Sequence, residues 1–295
     1  MKTLKVMEES LLQEIINLDN ICFSRSSTPR TEENIKMLIK SNPNGCLALR
    51  EKDRLIGYAF TRIEGSLGFI GPIGVHPDFR GGGYGKKLIE KCVEALQKND
   101  CTMIGLETLP EWGDRLGLYQ KLGFTLTYPT VLYEEENVEP VTIHQERIVL
   151  GKKVLREDVD TFLGEMYVEN CGYMLRSDVE QVLEMAPGNI SFYYVNDRIE
   201  GVMYYYEELY PLAGAAFLKN EENLDYFIEM LQYMEILLDV RYIPFRVNAR
   251  YKKSNDLINR GFRVRRCYAR LMYRECEGIF EFPEKDGFVA RAWVG

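Results

Sequence analysis

The stretch that most constrains the fold runs from Gly68 to Leu96 and reads GFIGPIGVHPDFRGGGYGKKLIEKCVEAL. An apolar run (Phe69, Ile70, Ile73, Val75) enters a proline turn at His76-Pro77, and Arg80 then leads a cluster of Gly81, Gly82, Gly83 and Gly85. Beyond it, Leu88, Ile89, Cys92, Val93 and Leu96 recur at helical spacing with charges between them, so the order is strand, glycine loop, helix. Such a loop leaves backbone N–H groups at the positive end of a helix, where phosphate binds, and glycine lets the backbone approach a ligand closely. The pattern is not a Walker loop, because Gly85-Lys86 is followed by Lys87 rather than Ser or Thr. It is not a dinucleotide fingerprint either: Gly81 and Gly83 lead to Lys86, and Gly83 and Gly85 lead to Leu88. What remains is R-x-x-G-x-G, met by Arg80, Gly83 and Gly85 after a Val-x-Pro turn.

A chain of 295 residues is long enough for two domains, and 46% hydrophobic with 12% aromatic residues can fill two cores. A net charge of −8 argues against nucleic acid or an anionic membrane as partner and suits a cationic amine. The seven cysteines form no C-x-x-C pair and only His76 and His144 are present, so no metal site is expected and buried thiols in a reducing, cytoplasmic setting are. The first residues carry no signal-peptide core, and no apolar run is long enough to span a membrane.

Taken in order, residues 8–19 read as a helix, and Thr31 caps a second one carrying Ile35, Met37, Leu38 and Ile39. Strands are expected at Cys46–Arg50 and Leu55–Ile63 around the charged turn Glu51–Arg54, with the Gly68 strand as the third of a meander. Met103–Thr108 is placed where a crossover returns to the sheet. Trp112–Phe124 then gives a helix ending in Tyr119, with Gly123 at its C′ position and Phe124 opening a strand.

Arg80–Gly85 together with the later Tyr-x-x-x-Gly-Phe of Tyr119, Gly123 and Phe124 resembles the GNAT superfamily of N-acetyltransferases over roughly residues 1–135. The resemblance implies an α/β (α+β) fold with a mixed, mostly antiparallel central sheet flanked by helices. It implies acetyl-CoA as donor, held by Arg80, Gly81, Gly82, Gly83, Tyr84, Gly85 and Lys86, with the backbone of Ile73, Gly74 and Val75 along the pantetheine arm. Tyr119 is implied as general acid for the CoA thiolate; a tyrosine near its ordinary pKa of about 10 donates at neutral pH. For the base, Glu107 on the neighbouring strand and a water chain stand level, with Glu64 behind them and His76 expected to face solvent. The loop from Phe23 to Arg30, with Phe23 and Arg25 as contacts, is implied to roof the acceptor side. Trp112 departs from the asparagine often found there, and the strand before the loop carries no Glu.

From Glu134 to Pro140 the chain turns acidic and reads as a linker, giving domains 1–135 and 136–295. The first half then recurs faintly: Asp53–Gly57 is echoed by Asp197–Gly201 and Gly123-Phe124 by Gly261-Phe262, roughly 140 residues later. Helices are expected at 154–168 and 177–186, the latter with a Ser177/Glu180 capping box. Where the copy would hold its phosphate loop stands Lys219-Asn220-Glu221-Glu222-Asn223, without glycine and with two carboxylates. The second half is therefore expected to be a degenerate copy without donor. Its tyrosines (Tyr193, Tyr194, Tyr204, Tyr205, Tyr206, Tyr210) belong to a core or to a pocket wall. Residues 241–274 are rich in arginine and lysine, which complementary acidic surfaces or an acidic partner would explain. The expected function is acetyl transfer to a primary amine of a small molecule or peptide in a ternary complex, with homodimerisation left open. The alternatives are a non-catalytic acyl-CoA-binding module and a protein-lysine acetyltransferase that docks its partner through the second domain.

Overall fold

The computed structural model describes residues 2–290 apart from 24–29, 65, 171, 207–213, 220–223, 250, 252 and 274–287. In chain order the elements are β1 (Lys2–Val6), α1 (Leu12–Phe23), α2 (Glu32–Ser41), β2 (Leu47–Glu51), β3 (Arg54–Glu64), β4 (Leu67–Val75), α3 (Tyr84–Lys98), β5 (Met103–Thr108), α4 (Gly113–Lys121), β6 (Phe124–Leu126) and β7 (Thr130–Glu135). There follow β8 (Ile148–Leu150), α5 (Arg156–Asn170), α6 (Gly172–Met185), β9 (Ile190–Val195), β10 (Arg198–Tyr204), β11 (Ala215–Leu218), α7 (Leu224–Leu238), β12 (Phe245–Asn248), α8 (Ser254–Asn259), β13 (Phe262–Tyr273) and β14 (Phe288–Ala290).

Two compact units emerge. The first runs to Thr127 and takes in the stretch beginning at Ala269; the second runs from Tyr128 to Tyr268 and takes in the stretch holding β14. The first unit's sheet has the order β1-β2-β3-β4-β5, then the end of β13, then β6, and all pairs but β4·β5 are antiparallel. One face packs on α3 through Leu88, Ile89, Cys92, Val93 and Leu96, against Leu49, Ile56, Ile70 and Leu106. Each such side chain stabilises the fold by about 1.5–3 kcal/mol on burial. The opposite face packs on α1 and α2 through Ile15, Leu18, Ile35 and Ile39. Thr31 caps α2 as its sequence suggested, accepting from the Asn34 N–H while the Asn34 side chain accepts from the Thr31 N–H.

In the second unit the order is β8-β9-β10-β11-β14-β12-β7, then the beginning of β13. Its core gathers Tyr193, Met203, Phe245 and Phe262 around the α7 residues Leu224, Phe227, Ile228, Leu231 and Met234. Of the echoes read from sequence, Gly123 and Gly261 share a backbone conformation, whereas Asp197 has positive φ and Asp53 does not. Asn196 and Asp197, both at positive φ (50° and 59°), close the two-residue β9–β10 turn, the combination that a type I′ hairpin requires. Gly123 and Gly261 sit at φ +90° and +93° directly after α4 and α8, each followed by a strand that begins with phenylalanine.

Several expectations are corrected. The first helix begins with a 3-10 turn, Glu9–Leu11, and its α-helical part extends to Phe23. Glu134 and Glu135 are strand rather than linker, because β7 pairs on one edge with β12 and on the other with Phe262–Tyr268. The compact units accordingly divide at Thr127, and β5 pairs with Ala269–Met272 of β13. Ser177 lies inside α6, which starts at Gly172. Tyr193 and Tyr204 are fully buried core, whereas Tyr210 and residues 220–223 of the acidic loop lie outside the described residues.

Several residues of the basic stretch are held by partners within the fold. Arg263 reaches Glu134 at 2.6 Å and Glu136 at 3.1 Å, Arg265 reaches Glu134 at 3.4 Å, and Arg260 meets Asp225 at 2.5 Å. Arg246 is buried with its guanidinium 3.7 Å from the centre of the Tyr268 ring. Among the described residues no helix is long and apolar enough to cross a membrane.

Candidate active site

The site begins with a defect in β4. The β3–β4 register pairs Thr61 with Ile70 but Ala59 with Ile73, so Gly71 and Pro72 form a bulge opposite Phe60. On its other edge β4 pairs with β5 only over Leu67–Phe69. Past the bulge, Ile73–Val75 stay bonded to β3 while they part from β5. The glycines and proline of GPIG are what permit this, since a regular strand would continue the ladder.

A turn at Pro77–Phe79 follows, capped by His76, whose Nδ1 accepts from the Asp78 N–H at 3.3 Å and whose Nε2 lies 2.8 Å from Arg54. The His76 side chain is only 13% exposed, so it serves the turn and does not face solvent as expected. Arg80 Nε donates to the Val75 carbonyl at 3.1 Å and ties the loop to the strand end. Gly81 and Gly83 then adopt φ +80° and +77°, a left-handed conformation costly to any residue with a Cβ. Gly83 is the N-cap of α3 and brings no side chain to the first turn, whose N–H groups are left to a ligand or solvent. Tyr84 is fixed by its hydroxyl to Lys2, which also pairs with Glu51 at 3.2 Å.

These elements enclose a cavity of about 550 Å³, lined by Ile73, Gly74, Val75, Arg80, Gly81, Gly83, Tyr84, Gly85 and Lys86 from the strand and loop. Of the ten residues proposed from sequence to hold the donor, only Gly82 is not part of the lining. The far wall is α4, with Asp114, Arg115, Leu118 and Tyr119, and the end of α1 closes the cavity with Cys22 and Phe23. Burial pushes the Tyr119 phenol up, and the nearby Arg115 charge works against that rise. The hydroxyl therefore keeps its proton at neutral pH, as a proton donor must. Tyr119 also packs edge-on against Phe124, with ring centres 6.0 Å apart, which locks the ring.

Arg115 and Cys22 are among the cavity residues with no sequence argument behind them. Arg115 stands one helical turn before Tyr119, its guanidinium 3.4 Å from the centre of the Trp112 ring and 5.9 Å from that of Phe23. Burial lowers its pKa, as does Arg80, while Tyr119 acts in the opposite direction. The i, i+4 spacing from Arg115 to Tyr119 was the available signal. Cys22 donates from Sγ to the Val75 carbonyl at 3.5 Å, and burial raises its pKa.

Other candidates fall elsewhere. Glu107 is not in the cavity lining: both Nε and an Nη of Arg270 donate to it, at 3.1 and 3.0 Å, and its side chain is 1% exposed. Glu64 ends β3, and Arg25 lies outside the described residues. Asp114 is the one carboxylate among the described lining residues, on the exposed first turn of α4.

Comparison with known proteins agrees with this geometry. Residues 12–124 match the acetyltransferase (GNAT) family. An acetyltransferase of Yersinia enterocolitica is 25% identical over 152 residues, 52% of this chain and 95% of that protein. A putative acetyltransferase from Pyrococcus horikoshii superposes with a TM-score of 0.75 at 14% identity, over 99% of this chain and 95% of that one. A GCN5-related N-acetyltransferase from Sphaerobacter thermophilus gives 0.66 at 14% identity over 92% and 95%. The two structural likenesses extend through both units and speak for the fold. The sequence match, the parted β4, the glycine loop and Tyr119 all fall in the first unit, and over residues 12–124 that unit is similar to the GNAT family of acetyltransferases.

Proposed function

We propose that the first unit moves an acetyl group from acetyl-CoA to a primary amine of a small molecule or peptide, by direct transfer with both substrates bound. The observation that carries this reading is that the glycine loop, the parted segment of β4 and Tyr119 line one cavity. Acetyl-CoA supplies an activated acyl thioester. The N–H groups of the first turn of α3, with Gly81 and Gly83 leaving room, hold its pyrophosphate, and Arg80 and Lys86 add positive charge. The backbone of Ile73–Val75, unpaired with β5, bonds the extended pantetheine arm and polarises the acetyl carbonyl. Tyr119 gives its hydroxyl proton to the departing thiolate sulfur. Phe23 and Arg115 bound the acceptor side, opposite the phosphate end.

The acceptor must lose a proton to become nucleophilic. Because Glu107 is engaged by Arg270, we assign that proton to water at the cavity mouth, beside Asp114. Five described cysteines are free thiols, which suits a reducing, cytoplasmic compartment.

The test is thiol release from acetyl-CoA over a panel of amines, amino acids, aminoglycosides and peptides, repeated with Tyr119→Phe. Turnover in the variant should fall by about 10²-fold or more while acetyl-CoA affinity stays within about twofold. Unchanged turnover would remove Tyr119 from the proton path.

A further inference from the structure

The two units share one arrangement and then differ. In the first, β4 and β5 run parallel, pair over Leu67–Phe69 and Met103–Gly105, and part beside the cavity. In the second, β11 and β12 begin the same way: Gly214 and Phe245 form a parallel bridge, and the Gly214 N–H donates to the Pro244 carbonyl at 2.7 Å. Past that bridge they part as well, but here the gap is filled. β14 lies in it, antiparallel to both neighbours, with Ala216 opposite Ala290, Phe217 opposite Val289 and Leu218 opposite Phe288 on one edge, and Val247 opposite Ala290 on the other.

We propose that β14 is a built-in ligand. The gap that in the first unit admits the extended arm of the donor is, in the second unit, a strand-addition site occupied by Phe288–Ala290 of the same chain. The chemistry of the two occupants is alike. An extended peptide presents amide donors and acceptors along its edge, as an extended pantetheine arm does, and either satisfies backbone groups that parted strands leave unpaired. The four residues of β11 are all buried, so an open edge there would also expose an apolar strand to foreign pairing. A consequence is one donor site per chain, with the second unit closed by its own sequence. The strand assignment stands on pairing alone; only this stoichiometric consequence rests on the function proposed above.

Amide hydrogen exchange on the full chain tests it. The amides of Phe288–Ala290 should exchange at least about 10³-fold more slowly than in an unstructured chain, because a strand between two neighbours directs its N–H groups to both. Val289→Pro, which removes an N–H and interrupts the ladder, should speed exchange at Ala216–Leu218 about tenfold or more while Ile104–Leu106 in the first unit change less than about twofold. Unprotected amides at 288–290 in the unaltered chain overturn the proposal, as does unchanged exchange at Ala216–Leu218 in the variant. Should the variant not fold, the protection measured in the unaltered chain decides. Calorimetric titration with acetyl-CoA should give one site per chain, abolished by Gly83→Val. Two sites would overturn the closure of the second unit. No binding at all would strike the donor reading while leaving the exchange result to judge the strand.

Discussion

Glu235 should make the stability of the second unit fall with rising pH. It sits on α7 with 7% of its surface exposed, and its carboxyl accepts from the Ile243 N–H at 2.7 Å. Burial raises its pKa from 4.5 to about 8, the nearby Glu135 carboxyl adds to the rise, and the Ile243 bond opposes it. Burial raises Glu135 as well. The unfolded chain gives up the Glu235 proton near pH 4.5 while the folded one keeps it to about pH 8. Between those values the unfolded state binds fewer protons, so stability declines as pH rises and levels off above the folded pKa. At about 1.4 kcal/mol per pH unit, the whole interval amounts to roughly 4–5 kcal/mol as an upper bound. Glu235→Gln keeps an acceptor for Ile243 and removes the charge. Urea unfolding of both chains from roughly pH 5 to 9 should show the variant gaining on the parent by a few kcal/mol toward pH 8, with the two nearly equal at the acid end. Titrating groups other than the coupled Glu135 are common to both chains and cancel in the difference. Parallel profiles would refute the reasoning.

Glu107→Gln should remove the carboxylate charge beside the Arg270 guanidinium, which is 5% exposed, at a cost of about 3–5 kcal/mol in the first unit. Thermal unfolding reads this directly, and a loss below about 1 kcal/mol would mean that the pair is effectively solvated. Arg115→Gln removes the charge that holds the Tyr119 pKa down, so the alkaline limb of the pH–rate profile should move to higher pH. Arg115→Lys should leave that limb close to its original position. A limb that does not move in the Gln variant would show that Tyr119 does not set it.

Much of the first unit was legible because its signals are local. The helical period of Leu88–Leu96, the Thr31 cap and the glycine after Tyr119 each act within a few residues, and each held. Most of the loop was legible for the same reason, since positive φ at Gly81 and Gly83 is a property of those residues. Glu107 was misjudged because its partner, Arg270, lies 163 residues away in sequence, and no local pattern announces such a pair. Arg115 and Cys22 were missed because their importance comes from the cavity they border, which exists only once α1, α4 and β4 are packed together. β1 also went unread, although Thr3–Val6 alternates polar and apolar residues; an edge strand with one neighbour carries a weak signal.

By itself the sequence determined the strand–loop–helix unit and the family likeness of the first unit, because backbone conformation and helix polarity follow from glycine placement and apolar spacing over a short span. Tertiary structure alone decided which strands pair. β7 leaves the unit that precedes it in sequence, β13 serves both units in succession, and β14 enters the gap between β11 and β12. Strand pairing joins backbone groups far apart in the chain, and those groups are the same in every residue but proline, so sequence marks where a strand can form more clearly than which neighbour it will take.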